Sequence, residues 1–285
     1  LRIRIISASI GIPLVLLAIW LGLPGVAVLT ILAGGIGGVE LDRMMRPTGS
    51  RLGSIRIVSL VMGPSVLAVI GLWAVSEGKI TGDHLPITLA IIFTLALLLR
   101  GTASLGRADR NASEWVFWVF AAYVGLALAH APVLLELETA RESLLLVDLG
   151  NGRELLLLAI LTTFVIDSVA LFVGVSVGRH RLAPTISPKK SWEGAIGGVL
   201  GGVVAAIAID AAFNIPFDTL TVGILGGVLG VTGVVGDLYE SWIKRRAEVK
   251  DSGTLIPGHG GILDRLDSVI PNIAVVYWAA VWSTL

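Results

Sequence analysis

Apolar residues gather in long windows at about 5–22, 24–40, 55–75, 85–99, 114–135, 155–177, 194–213, 219–240 and 267–285, separated by short charged stretches. Crossing the hydrocarbon core of a bilayer takes about 20 mostly apolar residues in a helix, and most of these windows have that size. The pattern predicts nine transmembrane helices. The fourth window is short and the ninth starts in a polar stretch, so these two are expected to tilt or to lie partly buried among their neighbours.

Composition agrees with the pattern. Hydrophobic residues make up 55% of the 285 positions, charged residues only 15%, and glycine reaches 35, a balance that soluble domains rarely show. The expected fold is therefore all-α and polytopic. One membrane domain spans 1–285, with a helical N-terminal part to about residue 150 and a C-terminal part, 151–285, that carries the polar motifs. Cysteine is absent, which excludes disulfides, thiolate metal sites and a cysteine nucleophile. The opening run "LRIRIISASIGIPLVLLAIWLGL" has no small-residue cleavage site after it and is read as a retained first span.

Charge sets the expected orientation. Of the 21 Lys and Arg residues, all but Lys79, Arg141 and Arg153 fall at the N-terminus or in loops on the same side of a nine-span chain. Basic loops stay cytoplasmic, so the N-terminus is expected inside and the C-terminus outside the cell inner membrane. Trp20, Trp73, Trp115, Trp118 and Trp192 fall near span ends, where amphipathic rings prefer to lie. Glycines at small-xxx-small spacing, Gly197, Gly198, Gly201 and Gly202 in the seventh window and Gly223 to Gly233 in the eighth, are read as close helix packing.

Several polar residues interrupt the oil. Asp167 falls near the middle of the sixth window, where an aspartate costs about 2.5 to 3.5 kcal/mol even on the lenient scale; it either pairs inside the bundle or lines a polar cavity. Asp237, Glu240, Ser241 and Lys244 follow at i, i+3, i+4 and i+7, one stripe of a helix. That stripe faces either the bundle and a cleft, or the membrane edge with an internal Glu240 to Lys244 pair.

The richest stretch is "KDSGTLIPGHGGILDRLD", residues 250–267. Asp264 and Asp267 stand at i, i+3 at the expected start of the ninth helix. Together with Asp237 they are hard oxygen ligands suited to magnesium, with a second cation allowed for. Lys244, Arg245, Lys250 and Arg265 add fixed positive charge, so carboxylates can hold a cation while basic groups hold phosphates. Gly260 and Gly261 of "PGHGG" permit close backbone approach to a ligand. Upstream, "SPKKSWEG" offers Lys189 and Lys190 beside a helix start capped by Ser191, with Glu193 in the first turn. Those lysines either set topology alone or clamp a phosphate. No Walker A loop occurs.

The stretch from Ser241 to Asp267 resembles the signature of phosphatidate cytidylyltransferases, the CDP-diacylglycerol synthases. Ser241, Lys244, Arg245, Lys250, Asp251, Gly253, Pro257, His259, Gly260, Gly261, Asp264, Arg265 and Asp267 all stand at its spacing. "SPKKSWEG", with Ser187, and the Asp167 helix also resemble that family, and the N-terminal half does so only in its span count. The resemblance implies magnesium-dependent transfer from CTP to phosphatidic acid, giving CDP-diacylglycerol and pyrophosphate in phospholipid biosynthesis. It implies Asp237, Asp264 and Asp267 as metal ligands. Lys244, Arg245, Lys250, Arg265, Lys189 and Lys190 would face phosphates. Asp251 and His259 would organise the loop or touch the nucleotide, Ser187, Ser241, Gly260 and Gly261 would contact substrate, and Asp167 would line the lipid side or support the metal site.

The expected partners are CTP, phosphatidic acid and the bilayer, with no nucleic acid. A homodimer is compatible with such a bundle, though no residue pattern names an interface. Two other functions fit parts of the pattern. A CTP-dependent polyprenol or phytol kinase would use the same nucleotide but lacks the full signature. A transporter would use Asp167 and a mid-membrane cation site, but the site chemistry lies almost wholly after residue 160, without the repeat that transporters show. A CDP-alcohol phosphatidyltransferase is disfavoured because its Asp-Gly-x-x-Ala-Arg pattern is missing.

Overall fold

The computed structural model describes residues 2–45, 54–76, 85–105, 112–137, 151–213, 215–258 and 260–283. Each of the nine apolar windows is a helix there: α1 (Arg2–Trp20), α2 (Leu23–Met45), α3 (Ser54–Ser76), α4 (Leu85–Leu105), α5 (Ala112–Leu135), α6 (Asn151–Val177), α7 (Trp192–Phe213), α8 (Thr219–Arg246) and, after a four-residue α9 (Leu263–Leu266), α10 (Val269–Ser283). Six of them, α2, α3, α5, α6, α7 and α8, are long and apolar enough to cross a membrane. The apolar segments of α1, α4 and α10 are shorter. The chain is an all-α polytopic membrane protein; the exception among the described residues is a small hairpin, β1 (Arg181–Ala183) with β2 (Ser187–Ser191).

The helices gather into two compact units, Leu1–Glu136 with Ile243–Leu266, and Leu137–Trp242 with Asp267–Leu285. The last turn of α8 and the signature loop thus belong with α1 to α5, although they lie more than a hundred residues further along the chain.

In the first unit α3 is central and packs on α2, α4 and α5. Leu41, Ile57, Leu60, Val61, Ile87, Phe120 and Leu128 form its core. Small residues bring the backbones together: a Cβ on Gly38 would lie 2.8 Å from the Val58 Cα, and one on Gly34 would lie 3.0 Å from the Met62 Cα. In bilayers such close packing takes the place of the hydrophobic drive that assembles soluble helices. Trp20 and Trp73 are exposed near the ends of α1 and α3, as the belt pattern predicts, whereas Trp118 is buried in α5 and serves the core instead.

In the second unit α6 packs along α7. The glycine reading holds here: Gly197 and Gly201 abut Val173 and Val169 of α6, while Gly202 of α7 and Gly226 of α8 face each other's carbonyls. The opposite faces are greasy and exposed, with Leu171, Phe172, Leu200, Val204 and Ile224, as lipid contact demands. A polar knot ties three helices. Asn272 of α10 is fully buried; its amide donates to Thr163 Oγ1 of α6 at 2.8 Å, and its carbonyl accepts from the Thr232 hydroxyl of α8.

Candidate functional site

The ninth window does not start as its spacing predicts. Asp264 sits in the short α9, Asp267 in the turn after it, and α10 begins only at Val269. A helix running straight through would need the residue 271 amide to donate to the Asp267 carbonyl, and Pro271 has no N–H. The Asp267 carbonyl instead abuts Gly236 of α8, where a Cβ would overlap it. The Asp267 side chain takes the Ser268 amide at 2.8 Å, a local bond that competes with helix. Asp264 and Asp267 therefore do not stand together at the head of one long helix, contrary to what the window predicts.

In the first unit the signature residues form a buried network. α8 ends in a Schellman arrangement, with the Val249 amide donating to the Lys244 carbonyl at 3.0 Å and the Glu248 amide to the Arg245 carbonyl at 3.1 Å. Glu248 takes the left-handed conformation, φ 57°, that this cap requires and glycine usually supplies. The chain then turns back so that Asp264 meets Lys244: Nζ lies 2.6 Å from Oδ1, with side-chain exposures of 11% and 6%. Asp264 Oδ2 accepts the Ser252 amide at 2.9 Å, the Ser252 hydroxyl at 3.0 Å and the Gly261 amide at 2.8 Å. Burial alone would push the Asp264 carboxyl up. The Lys244 ammonium and these amides outweigh it and hold the group below the usual carboxylate range. The side chain is thus ionised at neutral pH.

The glycines serve this network. Gly260 has φ 84°, and a Cβ there would run into the Asp264 carboxylate. Gly261 turns its amide inward to Asp264 rather than outward to a ligand. Ile256 and Gly260 close the intervening loop through an amide to carbonyl bond of 2.9 Å. Arg245, Lys250, Asp251 and Arg265 are exposed around it. His259 lies outside the described residues.

A residue that the sequence reading passed over completes the network. Glu40, in the last turns of α2, is 3% exposed and accepts the Ile262 amide at 2.9 Å, the Leu263 amide at 3.1 Å and the Ser252 hydroxyl at 3.0 Å. The available signal was an acid directly behind the apolar run "ILAGGIGGV", where a charge needs a partner.

In the second unit the "SPKKSWEG" element is the hairpin. Arg181 pairs with Ser191 and Ala183 with Ser187. Alternation along β2 leaves Lys189 exposed and turns Lys190 to Asp237 of α8, with Nζ 2.6 Å from Oδ2. The Ser241 hydroxyl donates to Asp237 Oδ1 at 3.2 Å. Ser191 caps α7 through the Gly194 amide at 3.2 Å, as its sequence context predicts. Glu193 instead reaches back to the Arg179 and His180 amides and the His180 ring. Ser191→Ala is expected to destabilise this junction by about 1 kcal/mol, read as a lowered thermal midpoint in detergent. A midpoint at or above that of the parent would contradict the capping role. Asp167 stands on the exposed side of α6, beside Ser168.

The carboxylates suit a hard divalent cation in kind. Asp237 and Asp264 each already face a lysine ammonium at 2.6 Å, so their oxygens are set toward positive charge. Among the described residues no three His, Asp or Glu side chains are grouped as a cage. Magnesium commonly binds through one or two carboxylates, with waters and substrate phosphates completing its shell, and does not need such a cage.

Residues 2–282 match the profile of the Cytidylyltransferase family. The chain is 45% identical over 138 residues to a phosphatidate cytidylyltransferase of Pseudomonas aeruginosa, covering 47% of this chain and 50% of that protein. Proteins of the same name from Brucella abortus and Mycobacterium tuberculosis are 40% and 43% identical over 111 and 129 residues. Those matches cover 39% and 45% of this chain and 41% and 38% of the relatives. The chain thus spans about half the length, or less, of the curated relatives it matches.

Proposed function

We propose, from the premise that the chain belongs to the cytidylyltransferase family, that it transfers the cytidylyl group of CTP to phosphatidic acid, releasing pyrophosphate. The observation that carries this reading is the buried Lys244 to Asp264 pair, seated on Ser252 and Gly261, because it joins the signature residues for which phosphate and cation chemistry was expected. In the reaction a phosphatidate oxygen forms a bond to the α-phosphorus of CTP, the bond from that phosphorus to the bridging oxygen breaks, and pyrophosphate leaves with the electron pair. The attacking phosphate is already ionised at neutral pH, so no strong general base is needed. The barrier lies in bringing two anions together and in the charge that grows on the leaving group.

This chain's residues answer both needs. Lys244, Arg245, Lys250 and Arg265, and on the hairpin Lys189 and Lys190, supply positive charge to phosphates. Within one unit Asp237 and Asp267, and separately within the other Asp264, are carboxylates proposed to bind magnesium, which would neutralise phosphate charge when bound. Asp251 and His259 are assigned to the nucleotide side of the loop. Ser187, Ser241 and Gly260 are assigned to substrate contacts, and Asp167 to the lipid side. The excess of Lys and Arg on one side of the span pattern supports a proposed cytoplasmic N-terminus and site, with the C-terminus outside the cell inner membrane.

The test is an assay of the purified chain in detergent with phosphatidic acid, magnesium and CTP labelled at either the α- or the γ-phosphate. Label passing from the α position into lipid is the expected result. Label passing only from the γ position into a prenol would move the assignment to a kinase.

A further inference from the structure

The Glu40 carboxylate draws its three donors, the Ser252 hydroxyl and the Ile262 and Leu263 amides, from the signature segment. Two of them are the amides just before Asp264, and the third is shared, because the Ser252 hydroxyl lies 3.0 Å from both Glu40 Oε2 and Asp264 Oδ2. A hydroxyl has one proton to give, so the two carboxylates are coupled through it. The fit is tight on the other side as well. A Cβ on Gly253 would lie 2.7 Å from Glu40 Oε1, and one on Gly261 would overlap both Glu40 and Ser252. Three donors converging on one carboxylate fix the loop at both of its ends.

We infer that Glu40 is a positioning residue: through Ser252 and the amides of Ile262 and Leu263 it sets the loop that presents Asp264 to Lys244. The role in turnover rests on the proposed cytidylyl transfer, whereas the anchoring rests on the contacts alone. Glutamine at this position keeps the shape of the side chain but replaces one acceptor oxygen by an NH2 that faces donors.

The experiment compares the full chain in phosphatidic acid-containing nanodiscs with Glu40→Gln, Glu40→Asp and Ser252→Ala, by amide hydrogen exchange and by steady-state kinetics. In Glu40→Gln the segment 252–263 is expected to lose protection while α3 and α5 keep theirs. Its kcat should fall about ten- to a hundredfold, the cost of a misplaced catalytic group, with the KM for phosphatidic acid unchanged. Glu40→Asp, which keeps the charge, should recover part of that loss, and Ser252→Ala should show a milder form of it. Wild-type protection and kcat in Glu40→Gln would overturn the inference. So would protection lost evenly across all helices in both Glu40→Gln and Ser252→Ala, which would make Glu40 a general fold residue. If the parent chain makes no CDP-lipid but the loop still loosens locally, the assigned reaction fails and the anchoring stands.

Discussion

Asp264→Asn is expected to lower the proposed cytidylyl transfer by about 10² to 10³-fold, the cost of losing one preorganised electrostatic contact. The asparagine oxygen can still accept from the Ser252 and Gly261 amides, but its NH2 then faces the Lys244 ammonium where a carboxylate oxygen lay at 2.6 Å. Removing one partner of a buried pair leaves the other charge unpaired and costs about 3 to 5 kcal/mol. A drop in stability should therefore accompany the loss of turnover. Lys244→Met in the same background separates the two effects, because removing both charges should restore stability without restoring turnover. Turnover of Asp264→Asn within a few-fold of the parent would remove Asp264 from the chemistry.

Gly261→Ala is expected to be nearly as damaging, from one added methyl. Its Cβ would occupy the position of the Ser252 hydroxyl and the Glu40 carboxylate. Neither atom is the loose end of a flexible side chain, since both are held by the bonds that shape the loop. Overpacking of this kind costs about 1 to 3 kcal/mol, and the displaced loop should reduce activity about a hundredfold. Gly227→Ala provides the contrast: its Cβ would meet only the Val203 Cγ2, at 3.5 Å, and both stability and turnover should hold. Equal effects at the two positions would mean that the loop tolerates what its geometry forbids.

The six long apolar helices were legible because a bilayer makes one demand that composition answers directly, a run of apolar residues of sufficient length. Their ends were less so. α8 continues past the apolar window to Arg246, because a stripe of Asp237, Glu240, Ser241 and Lys244 remains compatible with helix while lowering hydropathy. The start of α10 was misplaced by the missing amide of Pro271, a backbone effect that charge spacing does not reveal. The hairpin at 181–191 escaped notice because its strands are three and five residues long, too short for alternation to show. Lys244 and Asp264 could be picked from the motif. Glu40 carries only the weak signal of an acid behind an apolar run, which asks for a partner without naming one. Its donors are known only once the chain is folded.

That separation also has a temporal side. Glu40 accepts from Ile262 and Leu263 across 222 and 223 residues, and synthesis runs at about 5 to 20 residues per second. Glu40 is therefore synthesised about 11 to 44 seconds before its backbone donors, and α2 is made with none of its three partners yet in place. The loop cannot be seated until Leu263 has been added to the chain. The loop can therefore close on Glu40 only after the segment from Ser252 to Leu263 has followed α2 out of the ribosome.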